Sequence, residues 1–298
     1  MHVGMELGEL CASIPNMRRG KFTSWFVVLA AAAYLSGCAG IRMQIPRMTP
    51  ITKASMQERF KQGIPGSLNV PASDRRKLAF QAANSVHGAA IRMCNRVFGP
   101  EHNCMLRLSR YRLTVMPNSL VVNAHIDTNN HITVYGGLIR SVGSEGELAA
   151  VLAHEYAHGL MNHPRRKMQN IAIGTLAGMA AGAVVGAAAG DDSRDTTEGM
   201  RVGAEYGQLA GIRAYSQAME NEADHLGLFI LKEAGYDPKA ASHFHMRMLN
   251  ERKFVRNRKR NPTTLYIRTH PGSKERVQKL IGGEGMIKNG HVRPIWKK

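Results

Sequence analysis

Residues 144–162 read Ser-Glu-Gly-Glu-Leu-Ala-Ala-Val-Leu-Ala-His-Glu-Tyr-Ala-His-Gly-Leu-Met-Asn. Ser144 with Glu147 three positions on has the spacing of a capping box, so a helix is expected to start here. It should run through Leu148, Val151 and Leu152 to about Asn162, before Pro164. On such a helix His154 and His158, four apart, project from one face. There they can hold a single Zn²⁺ through neutral imidazoles. Glu155 sits between them, where a carboxylate can reach a metal-bound water and act as general base. Two unrelated surface histidines are the bland alternative, but the helical context that the motif requires is present.

A catalytic zinc site needs a third protein ligand and an open fourth position. The downstream segment Glu220-Asn221-Glu222-Ala223-Asp224 supplies candidates. Glu220 and Asp224 are four apart and share a face, so one can ligate while the other buttresses a ligating histidine. Glu222 lies about 200° round the helix from Glu220 and is expected to point away as a solvated charge. His163, at the end of the first helix, is expected to be exposed. His125, His243 and His245 are expected to be surface or core residues. The 17 methionines read as core filler.

Around these segments the pattern is helix, strands, then helices, an α+β order. Ser73-Asp74 offers a helix N-cap, and apolar residues from Leu78 to Val97 have helical spacing. Three runs have strand character: Leu106–Met116, Leu120–Ile126 and Ile132–Ile139. They should form a small, antiparallel sheet beside the 144–162 helix. The last run is a candidate open edge for an extended substrate chain. A long helix is expected from Met200 to Ala234, stopped by Gly235 and Asp237-Pro238. Another starts at Pro238, and a last one covers Ser273–Leu280. Ile171–Gly190 is uncharged and rich in Ala, Gly and Val. Its readings are a flap, a segment dipping into a bilayer surface, or a span.

The N-terminal region speaks to compartment. Met17-Arg18-Arg19-Gly20-Lys21, an uncharged run from Phe22 to Tyr34, then Leu35-Ser36-Gly37-Cys38 form an export signal with a lipobox-like end. The expected organisation is a signal peptide over 1–37 with Met17 as the better start, then a lipid-anchored tether over 38–72. A mainly helical domain follows over 73–298. Cys38 would carry the lipid that holds the chain on a membrane, and Ala39 after it favours the outer membrane. Of the remaining cysteines, Cys94 and Cys104 suit a disulfide in an oxidising periplasm. A zinc site with His102 is the rival, though it lacks a fourth ligand nearby. The net charge of +18 suggests an acidic or anionic partner. Residues 245–298 carry 15 of the basic residues against three acids, hence +12. An export signal and the absence of an aromatic-basic motif argue against nucleic acid.

The full pattern is more specific than its parts. His-Glu-x-x-His, then Glu-x-Glu-Ala-Asp-x-x-Gly, then Thr269-His270-Pro271 with Arg276 resembles the CAAX-prenyl-protease-like gluzincin metallopeptidases. Val122-Asn123-Ala124 and Ile132–Ile139 match that family's strands, and the resemblance covers roughly residues 76–280. It implies a zincin-type metallopeptidase fold. His154, His158 and Glu220 would be the zinc ligands, Glu155 the catalytic base and Asp224 the supporting carboxylate. His270 and Arg276 are implied as gating or oxyanion-stabilising groups. With the lipobox, the periplasmic lipoprotein branch is the best match. That branch acts on misfolded or unassembled envelope proteins at the periplasmic face of the outer membrane, beside the outer-membrane assembly machinery. A chaperone or assembly factor with a latent zinc site is the alternative. Two departures stand out: Ser216-Gln217 replaces the family's Ser-Arg, and the Asp127–Asn130 loop lacks Gly or Pro.

Overall fold

A computed structural model describes residues 67–99, 103–189, 192–255, 266, 269–270 and 274–294 of the chain. The expected export signal, Cys38, most of the expected tether and most of the basic run at 252–260 lie outside the described residues. The elements are α1 (Ala72–Phe98), α2 (Cys104–Leu108), β1 (Arg112–Met116), β2 (Ala124–Ile126) and β3 (His131–Tyr135). They continue as α3 (Gly136–Ser141), α4 (Glu145–Leu160), α5 (His163–Ala189), α6 (Ser193–Glu233), α7 (Lys239–Val255) and α8 (Lys274–Lys288). Two compact units result: one contains the described residues of 169–213, and the other the described residues of 67–168 and 214–294.

In the larger unit α4 is the central element, with every residue from Glu147 to Leu160 buried. Its start follows the capping logic with one change. Ser144 Oγ accepts from the Glu147 N–H at 3.1 Å, but the Glu147 carboxylate takes the Gly143 N–H at 2.8 Å rather than that of Ser144. Arg247 of α7 neutralises the buried Glu147 at 2.9 Å. Asn162, at φ 56°, turns the chain sharply after α4, and Pro164 is tolerated in the first turn of α5 because its missing N–H has no partner there. α1 packs on α4 through Ala79, Ala82, Ala83, Val86, Ala89 and Ala90, all buried in one apolar core with Leu148, Leu152 and Tyr156. It starts earlier than expected, at Ala72 behind Pro71, and Ser73-Asp74 gives no side-chain cap. Cys94 of α1 and Cys104 of α2 form a disulfide.

The sheet is mixed rather than antiparallel, in the order β1-β3-β2. The Asp127 carboxylate organises a tight turn by accepting from Asn129 N and His131 N, and Asn130 adopts φ 62°. That turn folds β2 antiparallel onto β3. β1 takes the other side of β3 and runs parallel to it. Consequently β3 is a central strand, and the open edge expected at Ile132–Ile139 does not exist. The strand also ends early, at Tyr135. Gly136 and Gly137 pack directly on the backbone carbonyls of Pro117, Leu120 and Val121, where any Cβ would collide. The chain can therefore bend into α3 against the 117–121 loop, which in turn keeps Leu120 out of the sheet. Likewise the start of the expected first strand is helical, as α2.

The smaller unit is a helical hairpin from the α5 and α6 segments. Gly174, Gly178, Gly182 and Gly186 on one arm face Gly211, Gly207, Gly203 and Gly199 on the other. A Cβ at Gly178 would overlap the Gly203 carbonyl, and one at Gly207 the Gly174 carbonyl. Four-residue glycine spacing on both arms lets two backbones meet directly, as in close-packed membrane helix pairs. Leu176, Val184 and Val185 stay exposed on α5, which is long and apolar enough to cross a membrane by length and composition. The α6 arm is different: Arg201 pairs with Glu198 and Glu205 on its exposed face.

Candidate metal centre

Two helices and one C-terminal segment build the site. α4 presents His154, Glu155 and His158; α6 presents Glu220 and Asp224. Gly227 lets α6 lie close to α4, since a Cβ there would sit 3.3 Å from the His154 backbone. His270 is fixed from behind. Its backbone N–H donates to Tyr266 O at 2.8 Å, and its ring stacks on Tyr266 with centroids 4.8 Å apart. The Tyr266 N–H in turn donates to Val122 O at 3.1 Å.

The ligand-type atoms of His154, His158, Glu220 and His270 all lie within 4.8 Å of one another, and all four residues are buried. His154 Nε2 is 3.3 Å from Glu220 Oε2, and His158 Nε2 is 3.3 Å from Glu220 Oε1. His270 Nδ1 is 3.2 Å from Glu220 Oε2, while its Nε2 lies 3.4 Å from Glu155 Oε1. Both Glu155 oxygens and His270 Nε2 are buried without a hydrogen-bond partner. A buried carboxylate left so is costly, and a water held on a metal would satisfy it. Two imidazoles and a carboxylate converging on one point, with a spare carboxylate beside them, fit a tetrahedral metal with one open position.

Arg276, itself buried, binds both Glu220 and Asp224 of α6. It donates to Asp224 Oδ2 through Nε and to Oδ1 through Nη2, each at 2.7 Å, and its Nη1 lies 3.0 Å from Glu220 Oε2. Burial opposes charge on Asp224 and Glu220, yet Arg276 and the neighbouring imidazoles hold both well below the usual carboxylate range. Arg276 is itself raised despite burial, by those same carboxylates. Burial also works against charge on His154, but Asp224 and Glu220 outweigh it and push the imidazole up to about 10. His158 goes the other way, to about 4, because burial prevails over Glu220. The two histidines are thus inequivalent, although Glu220 touches both. His154 Nδ1 lies 3.0 Å from Asp224 Oδ1, a close contact without hydrogen-bond alignment.

Three residues of this region escaped the sequence reading. His163 is buried rather than exposed, and Glu222 is buried rather than solvated. His163 Nδ1 meets His158 Nδ1 at 2.9 Å, and its Nε2 meets Glu222 Oε2 at 2.9 Å. Arg166 donates to the same Glu222 oxygen at 3.0 Å. Glu222 does point away from the four-residue cluster, as its position on the helix requires, but into a second polar layer. His163 could not be found by helical periodicity, because the turn at Asn162 breaks the helix between His158 and His163. His245 is a core residue 3.7 Å from Asp224, its imidazole lowered to about 3 by burial.

Comparison with known proteins agrees with this geometry. Residues 91–283 match the model of peptidase family M48. A Yersinia pestis protein named beta-barrel assembly-enhancing protease is 29% identical over 141 residues, which are 46% of this chain and 28% of that protein. A Vibrio cholerae protein named putative beta-barrel assembly-enhancing protease is 30% identical over 162 residues, 52% of this chain and 31% of that one. The mitochondrial metalloendopeptidase OMA1 of Schizosaccharomyces pombe is 30% identical over 159 residues, 53% of this chain and 42% of its own length. The matched stretch is thus less than half of each of these relatives. The family match spans both metal-site helices, and the chain belongs to peptidase family M48.

Proposed function

We propose that this chain is a zinc-dependent endopeptidase that cuts misfolded or unassembled envelope proteins. The observation that carries the reading is the convergence of His154, His158 and Glu220 beside the unpartnered carboxylate of Glu155. Zinc bound there supplies a Lewis acid that polarises a scissile carbonyl and makes water acidic enough to react near neutral pH.

The chain's own groups do the rest. Glu155 accepts the proton of the attacking water and passes it to the leaving amine. Its burial keeps that carboxylate clear of bulk solvent. Asp224 steadies His154 from the far side of its ring. Arg276, with its guanidinium engaged by Asp224 and Glu220, acts as a counter-charge that lets both acids stay ionised in the core. His270 contacts both Glu155 and Glu220; it acts as a fourth donor that must yield for substrate to enter.

The setting follows from the lipobox-like end at Cys38 and from relatives named for beta-barrel assembly. The first supports a lipid-anchored enzyme at the periplasmic face of the outer membrane, and the second supports work near the outer-membrane assembly machinery.

The test is zinc content and cleavage of an unfolded protein by the purified chain, with Glu155→Gln in parallel. One zinc per chain in both, and turnover reduced about 10²–10⁴-fold in the variant, is the expected result. Zinc without cleavage in either protein, followed by cleavage in His270→Ala, would identify a closed resting form. A chain that binds no zinc would sink the reading.

A further inference from the structure

We infer that His163, backed by Glu222 and Arg166, is the positioning group that orients His158 for metal binding. The inference rests on the zinc reading above, but its evidence is separate: a chain of buried contacts outside the four-residue cluster.

Hydrogen-bond direction decides the matter. His158 can offer Nε2 to a cation only if its ring proton sits on Nδ1, and a buried Nδ1–H needs an acceptor. Among the described residues, no carboxylate is placed to receive it. The atom in reach is His163 Nδ1, at 2.9 Å. For that nitrogen to accept, the His163 proton must lie on Nε2, where Glu222 Oε2 receives it at 2.9 Å. Arg166 donates to the same oxygen at 3.0 Å and keeps Glu222 charged. With His158 Nε2 given to the cation, every donor in this series meets an acceptor.

The two ligand histidines are therefore supported differently. His154 has a carboxylate, Asp224, directly at its Nδ1, but without hydrogen-bond alignment. His158 has an aligned neutral imidazole, with the carboxylate one step further out. A histidine ligand whose outer partner is lost binds metal 10–100-fold more weakly. The same loss is expected when His163 can no longer accept.

The experiment measures zinc affinity by competition with a chromophoric chelator, on the parent chain, His163→Phe and His163→Phe/Glu222→Leu. Phenylalanine keeps a ring in the space but removes both hydrogen bonds. The double variant also removes the carboxylate that the first leaves with Arg166 alone, so it should regain thermal stability lost in the single one. A purely structural role for His163 would then return affinity together with stability. Expected is affinity about 10–100-fold weaker in both variants, with the double variant more stable than the single one. If the double variant folds and binds zinc within about twofold of the parent, the inference is overturned. A parent chain without zinc would overturn it too, and would do so through the metal site itself rather than through His163.

Discussion

The two units solve opposite packing problems with the same element, a pair of helices. Where α6 crosses α4, the interface is full of ionisable groups. His154, Glu155, His158, Glu220 and Asp224 are all buried, and Arg276 enters from α8. Apart from Glu155, such groups are tolerated because each charge meets an opposite charge or an aimed donor. In the Gln169–Arg213 hairpin the interface has almost no side chains at all. Glycine stands against glycine, and backbone contacts do the packing. The lesson is that buried polar side chains depend on who their partners are, whereas direct backbone contact depends only on what is missing. Each unit should therefore fail in its own way.

The largest effect is expected at Arg276. Arg276→Met leaves Asp224 and Glu220 buried without their shared counter-charge, which should cost about 3–5 kcal/mol. Thermal unfolding of the full chain would report it. Arg276→Lys should recover only part of the loss, because an ammonium cannot grip Asp224 with two parallel bonds. Full recovery by lysine would break the claim that partner geometry, rather than charge alone, matters in this interface.

A smaller effect is expected in the hairpin. Gly203→Leu drives a side chain into the Gly178 carbonyl, an overpacking cost of about 1–3 kcal/mol. It should show as lost helicity and new protease cleavage within residues 169–213. Unchanged cleavage there would mean that the arms are not held by backbone contact.

The smallest effect lies on the surface of the larger unit. Arg92 and Arg96 bind Glu233 at 2.7 and 2.9 Å. Hydrogen bonding to Arg92 holds the Glu233 carboxyl below its ordinary value of 4.5. Its contribution is therefore present above about pH 4.5 and is lost as pH falls through the lower, folded-state value. Solvent screening limits it to about 0.5 kcal/mol, readable as the difference between parent and Glu233→Gln in denaturant midpoints at pH 6 and pH 3.

How much of this was legible in sequence follows the same division. The α4 helix and the gathering of Glu220, Asp224, His270 and Arg276 around it could be anticipated, since each belongs to a recognisable pattern. The sheet could not. Its strands have the right composition, but which edge β1 takes depends on the 117–121 loop lying over Gly136 and Gly137. His163 and Glu222 were misjudged because their partnership crosses from the first turn of α5 to the middle of α6. The glycine register of α6 was visible from Gly199 to Gly211, yet it acquires meaning only when set against the matching positions of α5.

Arg276 has a consequence in time. It lies 52 residues beyond Asp224 in the chain, so a ribosome makes it only after every group that α4 and α6 bring to the site. Until that segment arrives, His154, Glu155, His158 and Glu220 can all be present while Glu220 and Asp224 lack the guanidinium that bridges them. A hydrolytic centre completed by a helix made after its ligands is disarmed while it is being born. For an enzyme whose proposed targets are unfinished proteins, such lateness spares the nascent copies of itself.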